Sequence, residues 1–575
     1  MNTLIRLQGR GILPFNPIKP CSYMKKLLVL AISGWLVACS TGKPAIKTPS
    51  SHYNVDFLNS IDSVTVRTHL KTLSSDMMEG RGTGTEGEKR AVHYISDQFK
   101  ALGLAPGAKD GSWFQEVPLL GSTPTVVKPL TFEGPNGAFS GEFGTAFTAS
   151  TDLASERVAT SGELVFVGYG ISASGSNWDD FKGIDVRGKI LVSFVNDPPP
   201  TSEEPSRFKG DTLTYFGRWT YKQEEARRKG AKGILLIHTT PTASYPFAVV
   251  GNGAAREQIQ FATPPLNSLE LKSWISQEMG EKLAIASGST LEQWFIEAAD
   301  RNFRPRVLPV SVTAEMKYAL RYFSGTNVVA LLPGTEKPNE AILFTSHHDH
   351  LGVGKPDKKG DAIYNGAVDN ASGVAMLLTM AKALKQAANP PKRSVLFLSV
   401  TAEESGLLGS AYYAANPTFP MNKIVANLNV DSGNVHGRTT DISGIGAETS
   451  QMLHLLRDAA KAEGMTVSPD PNPNAGLFFR SDQLSFARVG VPAFFLNSGK
   501  NFIGRSQGFA QQAEAEYTAL RYHQPADEFD PKWAMGGMVQ QMRVCLRLGY
   551  TLAMDGSWPQ WKPGAEFEAA RKGGF

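Results

Sequence analysis

The 575-residue sequence predicts an α/β protein with a mixed, mostly parallel sheet flanked by helices on both faces, and a β-rich segment inserted into it. Two observations lead to this fold class. After Asn327, short apolar runs alternate with longer amphipathic segments, which is typical of strands covered by helices. From about residue 123 to 322, the chain instead consists of short β-type runs broken by glycine and proline.

The composition is that of an ordinary globular protein, with 41% hydrophobic and 19% charged residues. The net charge of +4 comes from residues 1–39, which contain five basic residues and no acid. Without those five, the 58 basic residues fall to 53, against 54 acidic ones, which is not the balance of a nucleic-acid-binding protein. The three cysteines are too few and too scattered for a Cys-based zinc site, so any metal must be held by His, Asp and Glu.

Residues 1–39 are predicted to be a targeting segment, with Met24 a candidate for the true start. Two lysines precede the apolar run from Leu27 to Ala38, which is too short to cross a bilayer and typical of a signal sequence. The run ends at Cys39 in a Leu-Val-Ala-Cys pattern that resembles a bacterial lipoprotein signal. This resemblance implies an exported protein, lipid-anchored through Cys39 to the cell envelope, with the outer membrane as the expected location. A plain secretory signal cut near Ala38 is the alternative.

Four strands and four helices are predicted after Asn327. The strands are 341–346, 395–400, 424–430 and 491–496, and the helices are 370–387, 407–415, 447–463 and 534–553. Two earlier helices, 62–73 and 86–102, belong to the same part of the chain. We therefore predict a tether at 40–55, a main domain formed by 56–122 plus 323–555, an inserted domain at 123–322, and a peripheral tail at 556–575.

A glycine motif before the helix 86–102 has two interpretations. Gly82, Gly84 and Gly87 match the G-x-G-x-x-G pattern of dinucleotide-binding proteins. That pattern requires a strand in front of it, and residues 76–79 do not form a strand pattern. We favour a loop that leads into the helix.

The candidate site residues stand at the ends of predicted strands, just before a helix, or in the loop before the last helix. They are His347, Asp349, Asp369, Glu403, Glu404, Asp431 and His523. Taken singly, each has a structural interpretation, such as a helix cap, a turn or a surface histidine. Taken together, the two histidines, Asp369, Asp431 and one of the two adjacent glutamates form a set of nitrogen and oxygen ligands that suits zinc, manganese or cobalt. A carboxylate shared by two metals about 3.5–4 Å apart is the arrangement of two-metal hydrolases.

Six segments of the chain carry a resemblance to a known family. They are residues 346–352, 366–373, 402–410, 427–431, 481–486 and 522–527. Together they resemble the co-catalytic di-zinc aminopeptidases related to glutamate carboxypeptidase and the transferrin receptor. The inserted region, especially residues 162–197, resembles a protease-associated (PA) domain.

The resemblance implies how the metal ligands are divided. His347 and Asp431 would hold one zinc, and Glu404 and His523 would hold the other. Asp369 would bridge the two ions and would precede a cis peptide bond.

The resemblance also implies the catalytic residues. Glu403 would be the general base, and Asp349 would orient His347, the usual role of a carboxylate behind a metal ligand. His348 and His350 are expected to be neighbours of the site rather than ligands.

We therefore expect an exported zinc metallopeptidase, and specifically an aminopeptidase that removes N-terminal residues of peptides with two zinc ions per chain. Manganese or cobalt could substitute for zinc. The expected partners are peptide substrates and a membrane, not nucleic acid. Two alternatives on the same fold are a carboxypeptidase similar to glutamate carboxypeptidase and a non-catalytic binding protein.

A serine hydrolase is a third alternative. Ser506 lies in a G-x-S-x-G pattern, and His523 and Asp527 follow it. However, the order Ser, His, Asp is not that of the α/β hydrolases, and residues 501–503 are a poor candidate for the buried strand that should precede the serine.

Overall fold

A strand of 27 residues, Arg306–Leu332, joins the two parts of the molecule in the computed structural model, which describes residues 53–243 and 246–572. Its first part pairs antiparallel with the strand Arg157–Phe166. Its last five residues pair antiparallel with the strand Arg393–Val400. One continuous sheet therefore runs through both the predicted insertion and the α/β part.

The α/β part contains a mixed, mostly parallel sheet, which confirms the predicted fold class. Outward from Arg306–Leu332, its strands are Arg393–Val400, Lys337–His347, Ile424–Val430, Ala493–Ser498, Asp441–Ile445 and Thr466–Ser468. The first four of these pair in parallel with one another, and Asp441–Ile445 is antiparallel to its neighbour Ala493–Ser498. Every residue of Arg393–Val400 and Ile424–Val430 is buried, as expected for strands covered on both faces.

Helices cover both faces of this sheet. One face packs against the helices Ser63–Leu73, Glu86–Ala101, Ser372–Lys385, Met452–Ala462 and Gly536–Asp555. The other face packs against Leu408–Ala415 and Gln483–Arg488. Successive residues of a strand point to opposite faces of the sheet. Phe344 therefore packs in the core on one face, while its neighbour Leu343 packs in the core on the other face.

The predicted insertion has its own parallel strands and its own core. Leu271–Ile275, Gly233–Ile237, Ile190–Phe194 and Arg157–Phe166 pair in parallel in that order. Their core is built around large aromatic side chains such as Phe166, Phe194 and Trp294. The assignment of this region as a PA domain, and the domain bounds themselves, stay predictions.

The remaining elements of the described chain are mostly short. The strands are Ala105–Pro106, Phe114–Val127, Leu130–Gly134, Gly137–Gly141, Ser172–Ala173, Trp178–Asp179, Gln258–Phe261, Gly352–Val353 and Ile363–Tyr364. The helices are Trp219–Arg228, Thr240–Ala243, Ala248–Gly253, Gln277–Ala286, Leu291–Ala298, Phe509–Leu520 and Glu568–Lys572.

The predicted elements after Asn327 lie within a few residues of the observed ones, apart from the start of one helix. The strands Asp441–Ile445 and Thr466–Ser468 and the helix Gln483–Arg488 were not predicted. The predicted helix 447–463 begins only at Met452, after a 3-10 turn at Ala447–Thr449. The helix Phe509–Leu520 was not predicted, and none of its residues is fully buried. Since apolar periodicity reflects one buried face, a helix without such a face leaves a weak sequence signal.

The C-terminal tail is packed against the molecule rather than peripheral. Trp561 is 6% exposed and donates its indole N–H to the carbonyl of Gly490 at 2.8 Å. Phe567 contacts Trp561 and also Tyr215 of the insertion. The tail therefore contacts both parts of the molecule.

The predicted signal segment 1–39, including Cys39, lies outside the described residues, as does most of the tether 40–55. Across residues 53–243 and 246–572, none of the helices combines the length and the apolar character that crossing a bilayer requires.

A buried ion pair in the insertion gives a test of this packing. Asp152 is 2% exposed and accepts hydrogen bonds from Arg227 at 2.6 and 2.7 Å, and Lys272 Nζ lies 2.9 Å away. Burial alone would raise the pKa of Asp152, but these two cations lower it to about 2.

We predict that Asp152→Asn lowers the free energy of unfolding at pH 7 by about 2 kcal/mol, the equivalent of that pKa shift. Because the native pKa is depressed, this stabilisation is present above the unfolded-state pKa of 3.8 and is lost as the pH falls through about 2. Urea unfolding of both proteins between pH 7 and 2 measures it. The exposed Asp211→Asn is the control, and a difference that persists unchanged at low pH would contradict the prediction.

Candidate metal centre

The site lies where three neighbouring parallel strands end. Lys337–His347 lies between Arg393–Val400 and Ile424–Val430 in the sheet, so the carboxyl ends of the three strands are adjacent. His347 is the last residue of the first strand, Glu403 follows the second by three residues, and Asp431 directly follows the third. The structure thus brings these side chains to one edge, where α/β proteins bind ligands.

The carboxylate of Asp369 lies between two histidines. Its Oδ1 is 3.4 Å from Nε2 of His347, and its Oδ2 is 3.4 Å from Nε2 of His523. Nε2 of His347 is also 3.3 Å from Asp431 Oδ1, and Nε2 of His523 is 3.1 Å from Glu404 Oε2. The five predicted ligands therefore form two groups that share Asp369.

These separations fit a tetrahedral metal site. With zinc–ligand distances of about 2.0–2.1 Å, two ligand atoms of a tetrahedron are about 3.3 Å apart. The contacts of His347 and His523 with their carboxylates span 3.1–3.4 Å. Nε2 of His523 and Nε2 of His350 are both buried, and neither makes a hydrogen bond of good geometry.

His350 is a second candidate for the position of His523, because its ring also lies close to Asp369 and Glu404. Its Nδ1, however, is only 2.6 Å from Glu404 Oε1, which is a hydrogen-bond distance and too short for two ligands of one zinc ion. The resemblance implies His523 as the ligand at this position, and His350 is the residue whose ring nitrogen forms a hydrogen bond with Glu404. The sequence pattern gave no reason to pair His350 with Glu404.

Asp369 is held by the loop that carries His523. The carboxylate of Asp527 accepts hydrogen bonds from the backbone N–H of Val368 and of Asp369 at 3.1–3.2 Å. The peptide bond between Asp369 and Asn370 is cis, as the resemblance implies. Asp527 was not assigned a role from the sequence, although it lies in the same short segment as His523.

Asp349 acts mainly on the strand end that carries the two glutamates. Its carboxylate accepts the backbone N–H of Glu403 at 3.0 Å and that of Glu404 at 3.3 Å. Nδ1 of His347 lies 3.2 Å from the backbone carbonyl of Asp349 and 3.8 Å from its carboxylate. His347 is therefore oriented by the main-chain carbonyl of Asp349. The Asp349 carboxylate lies between the loop after His347 and the loop that carries Glu403 and Glu404.

The pKa values of the adjacent carboxyl groups of Glu403 and Glu404 are shifted in opposite directions. Burial raises the pKa of Glu403 well above its usual range, and the charges of Glu404 and Asp431 add to this. Burial would also raise the pKa of Glu404, but His523 and His350 lower it to about 2. Two carboxyl groups with separated pKa values are typical of a pair in which one is a permanent anion and the other carries protons.

The centre opens into a cleft of about 2100 Å³. Asp369, Glu403 and Glu404 line its floor, and the insertion supplies part of its wall, including Trp219 and Arg256. The cleft is large enough for several residues of an extended peptide.

The other two motifs do not form the sites that their patterns indicate. Gly82 and Gly84 follow a 3-10 turn, Asp76–Arg81, rather than a strand, so the context of a dinucleotide site is missing. Ser506 is exposed and lies outside the helices and strands, while His523 faces Asp369 and Glu404.

We predict that Asp369→Ala loses most of the zinc that the wild-type protein retains after dialysis. Without this carboxylate, each histidine keeps a single carboxylate partner, and catalytic zinc sites have three protein ligands. Atomic absorption measures the zinc content per chain. Glu516→Ala, on the exposed rim of the same cleft, is the control. Equal zinc contents in wild type and Asp369→Ala would show that the metal lies elsewhere.

Comparison with known proteins agrees with this chemistry. The chain is 25% identical over 285 residues to a "Probable zinc metalloprotease" of Pyrenophora tritici-repentis, covering 48% of this chain and 61% of that protein. It is 30% identical over 179 residues to a "Probable zinc metalloprotease" of Pyrenophora teres f. teres, covering 31% and 35%. The chain thus spans between about a third and three fifths of the length of these curated relatives.

Two solved structures match the chain at low identity and with TM-scores below 0.5. An aminopeptidase from Aneurinibacillus sp. strain AM-1 has a TM-score of 0.47 and 19% identity, covering 87% of this chain and 95% of that one. A Peptidase M28 precursor from Shewanella amazonensis SB2B has a TM-score of 0.43 and 18% identity, covering 88% and 97%.

The model of Peptidase family M28 matches residues 327–544. This range contains all five predicted metal ligands as well as Asp349 and Glu403. The part of the chain that carries the predicted ligands is therefore similar to Peptidase family M28.

Proposed function

We propose that the protein is a zinc metallopeptidase, and specifically an aminopeptidase that uses two zinc ions. The observation that carries this proposal is the position of Asp369, whose two carboxylate oxygens each face a different histidine at 3.4 Å. A carboxylate with one oxygen toward each of two ligand groups is the arrangement of a bridged two-metal site. The match of residues 327–544 to Peptidase family M28 supports it.

In this proposal, His347 and Asp431 hold one ion, His523 and Glu404 hold the other, and Asp369 is shared. Bound zinc would lower the pKa of a water molecule and polarise the carbonyl of the scissile peptide bond. Glu403 accepts the proton of the attacking water and returns it to the leaving amine. Its raised pKa suits this role, because a general base must also hold the proton that it has taken.

Tyr522 is a candidate for stabilising the oxyanion that forms on the scissile carbonyl. Its ring stacks on His523 with centroids 3.9 Å apart, and 44% of the residue is exposed. Its hydroxyl is therefore attached to a ring held beside a metal ligand, and a phenol O–H can donate a hydrogen bond there.

The charges of the cleft bear on the choice between an aminopeptidase and a carboxypeptidase. A carboxypeptidase needs a free cation for the terminal carboxylate of its substrate. Three cations that line the cleft are each already paired with an acid at 2.7–2.9 Å. The pairs are Arg321 with Glu257, Arg488 with Glu224, and Lys500 with Glu514.

The carboxypeptidase alternative depends on the other cations that line the cleft, among them Arg256, Lys355, Arg480 and Arg521. A non-catalytic binding protein is the other alternative, and it would bind metal without hydrolysing any peptide. We also propose, from the N-terminal pattern alone, that the enzyme is exported and anchored to the cell envelope by lipid on Cys39. Its substrates would then be peptides that reach the envelope.

We predict that Glu403→Gln reduces the rate of peptide hydrolysis by at least about 100-fold, the usual contribution of a general base. The zinc content should stay that of the wild type, because the Glu403 side chain is not among the proposed ligands. Turnover of an aminoacyl p-nitroanilide and the zinc content are measured on the same preparation. Glu514→Gln on the cleft rim is the control. Substantial residual turnover in Glu403→Gln would rule out the assigned role.

We predict that a short peptide with a free amino terminus is hydrolysed, while its N-acetylated form is not. A C-terminally amidated form should be hydrolysed at close to the rate of the free peptide, since an aminopeptidase does not need the terminal carboxylate. Product analysis by mass spectrometry identifies the released residue. The opposite pattern, loss with the amide and retention with the acetyl group, would identify a carboxypeptidase.

A further inference from the structure

Arg81 is a buried arginine that lies directly behind the metal centre. It directly precedes the glycine motif formed by Gly82, Gly84 and Gly87, and it is 0% exposed. Burial lowers the pKa of its guanidinium to about 10, against the influence of the site carboxylates, of which Asp349 acts most strongly. The group therefore carries its positive charge at neutral pH.

The guanidinium donates four hydrogen bonds, all to backbone carbonyls. Nε bonds to the carbonyl of His348 at 2.7 Å, and Nη2 bonds to that of Gly366 at 2.9 Å. Nη1 bonds to the carbonyls of Asn365 at 2.6 Å and Leu73 at 2.8 Å. His348 follows the ligand His347 directly, and Asn365 and Gly366 lead into Asp369. One side chain therefore ties together two loops that carry metal ligands.

The residues around Arg81 reinforce this attachment. Gly82 forms a parallel bridge with His350, and the backbone N–H of His350 lies 3.3 Å from the carbonyl of Arg81. Thr83 donates a longer hydrogen bond of 3.4 Å to the carboxylate of Asp349. The segment also approaches the loops so closely that a Cβ on Gly80 would collide with the carbonyl of Tyr364. Glycine is required at this point, and its φ of +62° also favours glycine.

Charge gives a second reason for an arginine at this position. The carboxylates that act on Arg81 are Asp349, Asp527, Asp369 and Glu404, and all four belong to the site. Before metal binds, these groups repel one another in a buried environment. A fixed cation behind them offsets that repulsion, and an arginine keeps its charge where a lysine can lose it.

We propose that Arg81 is a positioning residue for the metal centre. Its guanidinium holds the loop after His347 and the loop before Asp369 at the spacing that metal binding requires, and its charge stabilises the carboxylates of the metal-free site. This inference rests on the proposed function, because it assumes that these loops bind zinc.

The chain offers a matched control in Arg393. It is 1% exposed, and its guanidinium bonds to the backbone carbonyls of Leu552, Gly556 and Ser557 at 2.6–2.9 Å. It begins the strand Arg393–Val400, so it lies about 23 Å from the strand end near the metal centre. Its Nε also donates to the carboxylate of Glu340 at 2.6 Å, so removing the guanidinium disrupts four hydrogen bonds, as at Arg81, away from the site.

The experiment compares Arg81→Met and Arg393→Met in the full chain, freed of metal by dialysis against a chelator. The zinc dissociation constant is measured by competition with a chromophoric chelator, and the melting temperature of each metal-free protein is recorded. We expect Arg81→Met to bind zinc roughly 10–100-fold more weakly, the range found for residues that support metal ligands. Arg393→Met should melt at a lower temperature but bind zinc within about twofold of the wild type.

Two further measurements separate positioning from general destabilisation. The absorption spectrum of the cobalt-substituted protein should change in Arg81→Met and not in Arg393→Met, because it reports ligand geometry. Added guanidinium ion should partly restore the zinc affinity of Arg81→Met. Equal zinc affinity in Arg81→Met and the wild type, or an equal loss in Arg393→Met, would overturn the inference.

Arg81→Lys keeps the inference testable if the methionine variant does not fold. A lysine keeps the charge but cannot reach all four carbonyls, so it should also weaken zinc binding, by less than methionine. Wild-type zinc affinity in Arg81→Lys would overturn the role in tying the loops. Absence of zinc binding by the wild-type protein would instead refute the proposed function.

Discussion

Several carboxyl groups are crowded at one edge of the sheet, and the structure around the centre depends on how their repulsion is balanced. Buried anions are costly unless each is paired or hydrogen-bonded, or takes up a proton. Asp349 and Asp527 accept backbone N–H groups, Asp369 and Glu404 face histidines, and burial raises the pKa of Asp482 to about 7. The hydrogen bonds of Asp349 and Asp527 each connect two loops of the site. The contacts that balance the charges therefore also set the geometry.

The same crowding explains why small residues stand beside the ligands. Gly373 is the second residue of the helix Ser372–Lys385, and a Cβ there would collide with Asn370 and with the carbonyl of Val430. The helix can therefore approach the strand end that carries Asp431. Asn370 uses that proximity, because its side-chain oxygen accepts the backbone N–H of both Gly373 and Ser432. Close packing and hydrogen bonding thus bring the carboxylates of Asp369 and Asp431 to the same ring nitrogen of His347, Nε2, at 3.4 and 3.3 Å.

The candidate site residues could be singled out from the sequence because several of them mark a local boundary. His347 and Asp431 stand at the ends of apolar runs, and Glu404 follows another apolar run. The apolar run and the position of the polar residue after it can both be read from about ten neighbouring residues. The roles of Arg81, His350 and Asp527 were not visible. Arg81 contacts residues 267–285 positions away, and Asp527 contacts Val368 and Asp369 across more than 150 positions. Such contacts depend on which loops the fold brings together, and no local pattern encodes them.

The long strand Arg306–Leu332 has a consequence for how the molecule could be divided. It pairs antiparallel with Phe114–Val127, and Ser122 lies opposite Leu320 in that ribbon. The chain therefore leaves and re-enters the ribbon at neighbouring points, about 5 Å apart. A tight turn could join these two points and replace the whole region between them without altering the strand register on the side of the metal centre. The part of the cleft wall that the insertion supplies could in this sense be exchanged, and a different domain joined to the same ribbon would face the same candidate metal centre.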